Sequence, residues 1–261
     1  MKQSLFFLVL TFQCFLAFSQ SGYVKSRKDN LDKHHFSKEE LNKKFLKYDF
    51  SGLFTHTANS SVYGFIGDNY RRIRIKFISV AKDSLSSNVY NIYGKSLVGD
   101  NNIRKFRGKI NITDVKAYKS IYMGVDSEYK NKGLKGEYAI FGSYSFLEDV
   151  NQKNSGVFKG TFQTDFYIDK YSKIHYDDLN MVSDGFTNNQ FTGVWISYKT
   201  KLSQKCNWGD FRIPNSDNFD VGAGDFSPSK NLASGWQSIV DLNNLKKKAR
   251  AKKLEEAEWW K

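Results

Sequence analysis

Between Tyr48 and Tyr198 apolar and polar residues tend to alternate along the chain. Arg72-Ile73-Arg74-Ile75-Lys76-Phe77-Ile78 is the plainest run, with Ile73, Ile75 and Phe77 on one side and Arg72, Arg74 and Lys76 on the other. A period of two marks a strand with one buried and one wet face. Similar runs cover 89–97, 105–112, 115–123, 137–146, 156–168 and 190–198. Turn clusters separate them, among them Gly99-Asp100-Asn101-Asn102, Lys130-Asn131-Lys132-Gly133, Asn151-Gln152-Lys153-Asn154 and Asp184-Gly185. No helix-length pattern interrupts the strands, so antiparallel hairpins are expected rather than parallel βαβ units. Helical periods occur only at the flanks. Ser37-Lys38-Glu39-Glu40 reads as a capping box opening a helix over 37–47, with Leu41, Phe45 and Leu46 on its apolar face. Asp241 is placed to cap a second helix that carries Leu242, Leu245, Ala249 and Leu254.

A degenerate motif runs through the strands. Phe-x-Gly occurs at Phe50-Ser51-Gly52, Phe106-Arg107-Gly108, Phe158-Lys159-Gly160 and Phe191-Thr192-Gly193, each followed two residues later by Phe54, Ile110, Phe162 or Trp195. Two copies are preceded by Tyr-x-Ile-aromatic-Gly, at Tyr90–Gly94 and Tyr138–Gly142. Residues i, i+2 and i+4 of a strand share a face, so Phe, Gly and the following apolar residue all point inward. Inward glycines beside aromatics suit a sheet that bends sharply and closes on itself. The expected fold is mainly β: an antiparallel up-and-down barrel or strongly bent sandwich of about eight to ten strands. It would occupy 37–240 as a single domain. The uneven spacing of the motif argues against a solenoid or propeller.

The hairpin rhythm and Gly193-Val194-Trp195 resemble lipocalin-like (calycin-type) secreted barrels, whose first strand carries Gly-x-Trp. Here that motif falls late, and Gly52-Leu53-Phe54, nearer the expected place, lacks the Trp. The resemblance implies a barrel architecture of that kind.

The N-terminus reads as an address. Met1–Ser4 carries one Lys, Leu5–Phe18 is largely apolar, and Ala17-Phe18-Ser19 supplies a small-x-small cleavage site. Residues 1–19 are therefore expected to be a secretory signal, too short for a membrane span of ~20 residues. The chain would be exported to a periplasmic or extracellular location. Residues 20–36 form a polar, basic leader. Of the two cysteines, cleavage removes Cys14 and leaves Cys206 as a buried structural thiol.

Composition narrows the class further. With 261 residues, 40% hydrophobic and 16% aromatic, the chain is too apolar to be disordered. The four His (His34, His35, His56 and His175) form no His-x-His or His-x-x-x-His pair, and there is no Cys-x-x-Cys, P-loop, dinucleotide fingerprint or Gly-x-Ser-x-Gly elbow. No catalytic residue, metal or cofactor is indicated. The densest unusual segment runs from Cys206 to Phe226 and holds Trp208, Asp210, Arg212, Asp217, Asp220 and Asp225; both prolines, Pro214 and Pro228, lie within or just after it. Trp208, Asp210 and Arg212, with Trp195, are the candidate ligand-binding residues, for an apolar ligand or a glycan. Paired carboxylates in this loop leave a glycan hydrolase as an alternative. So does a structural role, with an Asp–Arg pair bracing the loop and Trp208 in the core. The Tyr176-Asp177-Asp178 stretch reads as a short strand or solvated hairpin tip.

The net charge of +13 is concentrated toward the ends. Lys246, Lys247, Lys248, Arg250, Lys252 and Lys253 precede Glu255, Glu256 and Glu258, opposite to what the helix dipole favours. A basic amphipathic helix over 241–261, ending in Trp259-Trp260, is a candidate for docking on an acidic membrane or envelope surface. Export makes nucleic acid an unsuitable target. The leading expectation is an exported, non-enzymatic binding protein; a glycan hydrolase and a protein tethered by its basic tail are the alternatives.

Overall fold

A computed structural model describes residues 36–99, 102–229 and 234–261. The expected signal (1–19) and nearly all of the leader lie outside the described residues. Among the described residues nine strands form: β1 (Val62–Ile66), β2 (Arg71–Lys82), β3 (Val89–Val98), β4 (Asn102–Ala117), β5 (Gly136–Glu148), β6 (Gly156–Ile168), β7 (Ile174–Tyr176), β8 (Asn188–Ser197) and β9 (Ser203–Asp210). Eight of them close an antiparallel barrel in the order β1-β2-β3-β4-β5-β6-β8-β9, with β9 returning to β1. The short β7 pairs with β6 beyond the point where β8 leaves it. The sequence alternatives of barrel and sandwich thus resolve to a closed barrel.

Sequence runs 105–112 and 115–123 prove to be largely one strand. A bulge between Ile112 and Asp114 lets β4 bend and continue to Ala117. The flanking helices are shorter than their periodicity suggested. α1 spans only Asn42–Phe45, with Ser37 Oγ accepting the Glu39 N–H outside it. At the C-terminus α2 (Gln237–Asp241) and α3 (Lys248–Glu256) replace one continuous helix. Asp241 closes the first of these instead of capping the second. Phe50-Ser51-Gly52 lies in a 3₁₀ turn, Ser51–Thr55, instead of a strand.

The other three Phe-x-Gly copies do point inward, and the glycines that end the Tyr-x-Ile-aromatic-Gly motifs are slots for rings. A Cβ on Gly94 would come within 2.4 Å of the Phe106 ring, and one on Gly142 within 2.5 Å of the Phe162 ring. Gly160 and Gly193 pair across β6 and β8, and Tyr144 lies over both. The two hairpins use different registers: Gly94 faces Phe106, whereas Gly142 faces Phe162.

The barrel centre is filled. Phe106 stacks on Phe146, Trp208 on Phe191 (4.9 Å between centroids, 10° between planes), and Phe77 meets Phe106, Phe146 and Phe191 edge-on. One end is capped by the segment before β1, which inserts Leu41, Phe45, Phe50 and Phe54. Lys82 Nζ holds this cap by donating to the Leu46 and Tyr48 carbonyls, each at 2.5 Å. A second core lies outside the wall, where Ile213, Phe219, Phe226 and Trp236 from the chain after β9 cover Phe65. Past β9, residues 211–226 therefore flank the barrel, while Trp208 of β9 packs in its core.

Candidate functional site

Asp210 ends β9 beside the capped mouth, opposite Val62 of β1 and Asn188 of β8. A bulge between Asn188 and Phe191 disturbs the β8 alternation, and Asn189 adopts φ 45°. Both amides are consequently buried. Asn188 fastens neighbouring backbone: its Oδ1 accepts the Asp165 N–H, and its Nδ2 donates to the Asp165 and Asp177 carbonyls. Asn189 Nδ2 donates to Asp210 Oδ2 at 2.7 Å. The same oxygen accepts from Thr57 Oγ1 at 2.7 Å and from Tyr176 Oη at 2.9 Å. The His56 ring stacks on Tyr176, with 4.4 Å between centroids.

Three donors thus converge on Oδ2. Among the described residues none reaches Oδ1. Asp210 is only 4% exposed, and burial pushes its carboxyl up to about 6 while the hydrogen bonds of Thr57, Tyr176 and Asn189 and the charge of Lys76 pull against that rise. It lines a cavity of about 30 Å³ with Thr57, Asn59, Phe54, Phe77, Phe191 and Trp208. One water needs roughly 10–15 Å³ by this measure, so the cavity accepts an end group and not a whole ring. Ile75 and Phe77 from the inner row of β2 line it, as does Lys76 from the outer row. It therefore sits at the wall, where β1 and β2 pair only through Phe65↔Arg72 and Ile66↔Arg71. Past that ladder Asn59 Nδ2 bridges to the Ile75 carbonyl at 2.8 Å.

Of the residues singled out in the sequence, Trp208 and Asp210 meet at this cavity. Trp208 is 2% exposed and serves as packed wall. Arg212 is turned away. Its Nε donates to Asp220 at 2.7 Å, and its Nη atoms donate to the Gly222 and Gly224 carbonyls, so it braces the 220–224 loop. Trp195 stands at the opposite end, where its indole N–H donates to Glu148 at 2.9 Å. Asp217 is engaged by Lys205 and Tyr70. Among the described residues no group of His, Cys, Asp and Glu is arranged to hold a metal ion.

The tail is fastened to the wall beside the cavity. Glu255 forms a bidentate pair with Arg72 and a third bond to Arg74. Burial would raise its carboxyl, but the hydrogen bonds and charge of Arg72 outweigh that and hold it below the usual range. Trp259 donates to Asn59 at 2.8 Å, Lys76 lies over the Trp260 ring, and the Trp260 carbonyl accepts from Lys95. Both tryptophans are half-buried on the barrel, whereas Lys246, Lys247, Lys248, Arg250, Lys252 and Lys253 are exposed.

Sequence reasoning missed Thr57, Asn189 and Tyr176 as partners of Asp210. It read Tyr176-Asp177-Asp178 as a short strand or a solvated hairpin tip; the short strand β7 ends at Tyr176, and Asp177 just past it is buried. On the outer face of β5 and β6, burial pushes Glu137 up to about 8, assisted by the charge of Asp177, and Asp165 up to about 7. Glu137 and Asp177 hydrogen-bond to each other, and Tyr118 bonds to Asp165. These acids are separated by 40 residues along the chain and share no local motif; only the register of Tyr138 with Phe166 unites their strands. No family model, curated protein or solved structure matches the chain.

Proposed function

We propose that the protein is an exported binding protein whose ligand places an ammonium or hydroxyl end group on Asp210 at the barrel mouth. One observation carries this reading: the Asp210 carboxylate lines the cavity, with three donors on Oδ2 and, among the described residues, none on Oδ1. A carboxylate in so enclosed a place meets a donor in a lower dielectric, so a donor from a ligand gains more there than on the surface. Phe54, Phe77, Phe191 and Trp208 give that donor an aromatic surround, which favours a cationic amine. With the centre of the barrel filled by side chains, this mouth, and not the lumen, is the place for an end group. Export rests on the apolar segment Leu5–Phe18 and the small residues Ala17 and Ser19.

Asp210→Asn separates binding from folding. The amide oxygen can still accept from Thr57, Tyr176 and Asn189, but the cavity then receives a donor where it had an acceptor. Small amines and polyols screened by ligand-detected NMR at neutral pH should bind the original protein and not the variant. Binding of amines should weaken as pH falls through about 6, where the carboxylate takes a proton. Equal binding by both proteins, or none by either, would refute the assignment. The mass of the mature chain from a secreting host should show loss of residues 1–19.

A further inference from the structure

The end of the barrel opposite Asp210 carries an independent feature. Four turns cross that rim: beside the β1–β2 turn, three successive ones join β3 to β4, β5 to β6 and β8 to β9. They present Ile103, Leu147, Val150 and Leu202 to solvent, the last three each more than half exposed. Between these aliphatic tips stand Arg104, Lys105, Lys153, Lys199 and Lys201. Exposed acids stand on the rim as well: Asp149, whose Oδ1 accepts the Asn151 N–H, and Asp68 in the β1–β2 turn. Asp100 lies outside the described residues. Exposed apolar side chains also occur at the other end, such as Leu85 and Val182, but there Asp126 and Glu128 offset Lys130 and Lys132.

The three turns are braced to one another. Arg104 donates to the Lys153 carbonyl at 2.5 Å, tying the first to the second. Tyr198 donates to the Glu148 carbonyl at 3.1 Å, and the Trp195 indole N–H donates to the Glu148 carboxylate, tying the third to the second. Glu148 also accepts from Ser96 Oγ and the Gly156 N–H, so all its oxygens face inward partners. The rim is therefore held in place before any contact is made.

From this geometry we propose that the rim docks on an anionic lipid bilayer, with Leu147, Val150 and Leu202 entering the headgroup region and the flanking cations meeting lipid phosphates. Separate aliphatic tips with cations between them suit a surface that can part around each tip; a protein partner would more naturally ask for a continuous apolar patch. The excess of cations, with Arg104, Lys105, Lys153, Lys199 and Lys201 against Asp68 and Asp149, complements an anionic leaflet. This surface differs from the basic tail, which lies on the β2 side of the wall, and it stands whether or not Asp210 binds a ligand.

Sedimentation of the full chain with vesicles tests it. The protein should sediment with phosphatidylcholine–phosphatidylglycerol vesicles and not with phosphatidylcholine alone, and salt should release it. The triple substitution Leu147→Ser/Val150→Ser/Leu202→Ser should lower partitioning at least about tenfold, from lost apolar insertion. Lys153→Glu/Lys199→Glu/Lys201→Glu should do the same through charge. Leu85→Ser, at the far end, should leave partitioning unchanged. All these positions are exposed, so melting temperatures should stay close to that of the original protein. Several results would overturn the proposal. One is no sedimentation with anionic vesicles at low salt. Another is a serine variant that sediments like the original, which would mean charge contact without insertion. A third is complete loss on changing Lys246, Lys247 and Lys248 to Gln while the rim variants still bind, which would move docking to the tail.

Discussion

Removing the Tyr144 hydroxyl should stabilise this protein, although Tyr144 lies at the heart of its core. The ring packs against Phe146, Phe191 and Trp208 at centroid distances of 5.0, 5.4 and 5.1 Å, and Tyr144→Phe keeps all three. Tyr144 Oη is buried without a hydrogen-bond partner. It stands over the Gly160–Gly193 pair, which offers no side chain to bond it. An unsatisfied buried hydroxyl costs ~1–3 kcal/mol. Deleting one oxygen leaves a void smaller than a methyl group, which costs less than about 1 kcal/mol. The balance favours the variant by about 1 kcal/mol, or a rise of about 2–4 °C in Tm for a domain of this size. The informative control is Tyr90→Phe, the same chemical change elsewhere in the core. Tyr90 Oη accepts the Phe50 N–H at 3.0 Å and reaches the Tyr48 carbonyl at 3.4 Å, so its loss should cost ~1–2 kcal/mol and loosen the cap. Urea and thermal unfolding of both variants at pH 7 would give the two signs. Destabilisation of Tyr144→Phe by 1 kcal/mol or more would refute the reasoning, because it would require a partner for that hydroxyl.

Other outcomes follow from the packing and charges. In Gly160→Ala the new Cβ would fall 2.0 Å from the Thr192 carbonyl oxygen, so the variant should lose ~3 kcal/mol or more by chemical denaturation, with the barrel wall forced apart. Glu255→Ala leaves Arg72 buried with its charge unmet and should cost ~3–5 kcal/mol; hydrogen exchange should rise first in α3. Glu137, Asp165 and Asp210 bind protons more tightly folded than unfolded, so the folded state holds extra protons between about pH 4 and about pH 8, and their contribution to stability falls as pH rises through that window. Urea midpoints should therefore decline from pH 6 to pH 8, and Glu137→Gln should flatten the upper part of the curve; a midpoint that rises over this range would contradict the assignment. Glu255 acts with the opposite sign, its contribution being present above its unfolded value of about 4.5 and lost as acid protonates it.

The strands were legible because a half-wet sheet writes its period into the sequence. Ile73, Ile75 and Phe77 alternate with Arg72, Arg74 and Lys76 because one row faces the lumen and the other faces the tail. The slots at Gly94 and Gly142 were visible as the ends of Tyr-x-Ile-aromatic-Gly, and the inward pair Gly160 and Gly193 as Phe-x-Gly. Other features left no such trace. The β4 bulge at Thr113 skips a residue, and a strict period of two cannot carry across it. Helix α1 is a single turn held by tertiary contacts, and Asn42 donates to the Thr113 carbonyl across 71 residues. At the candidate site the sequence indicated Trp208 and Asp210, adjacent in chemistry and in space. Their partners come from residues 57, 176 and 189, on three separate connections and strands. Only the closure of the barrel unites them. The loop carboxylates drew attention by number, yet Asp217 and Asp220 are satisfied by Lys205 and Arg212, and the acids with the largest shifts, Glu137 and Asp165, sat in ordinary strand patterns.

The pairing of β1 with β9 sets an order of assembly. Val62 opposes Asp210 and Ile66 opposes Cys206, so the first strand finds its second neighbour only after the last strand exists. Until then β1 offers an unpaired edge, with Tyr63 and Phe65 on its outward side and the covering Ile213, Phe219, Phe226 and Trp236 not yet made. Such an edge is adhesive. Sealing it joins residues far apart in sequence and is slow for the same reason. A chain emerging N-terminus first is therefore at its most vulnerable late, when most hairpins can already form but the seam is open. Substitutions that delay β9 should be read in soluble yield before they are read in the stability of the finished barrel.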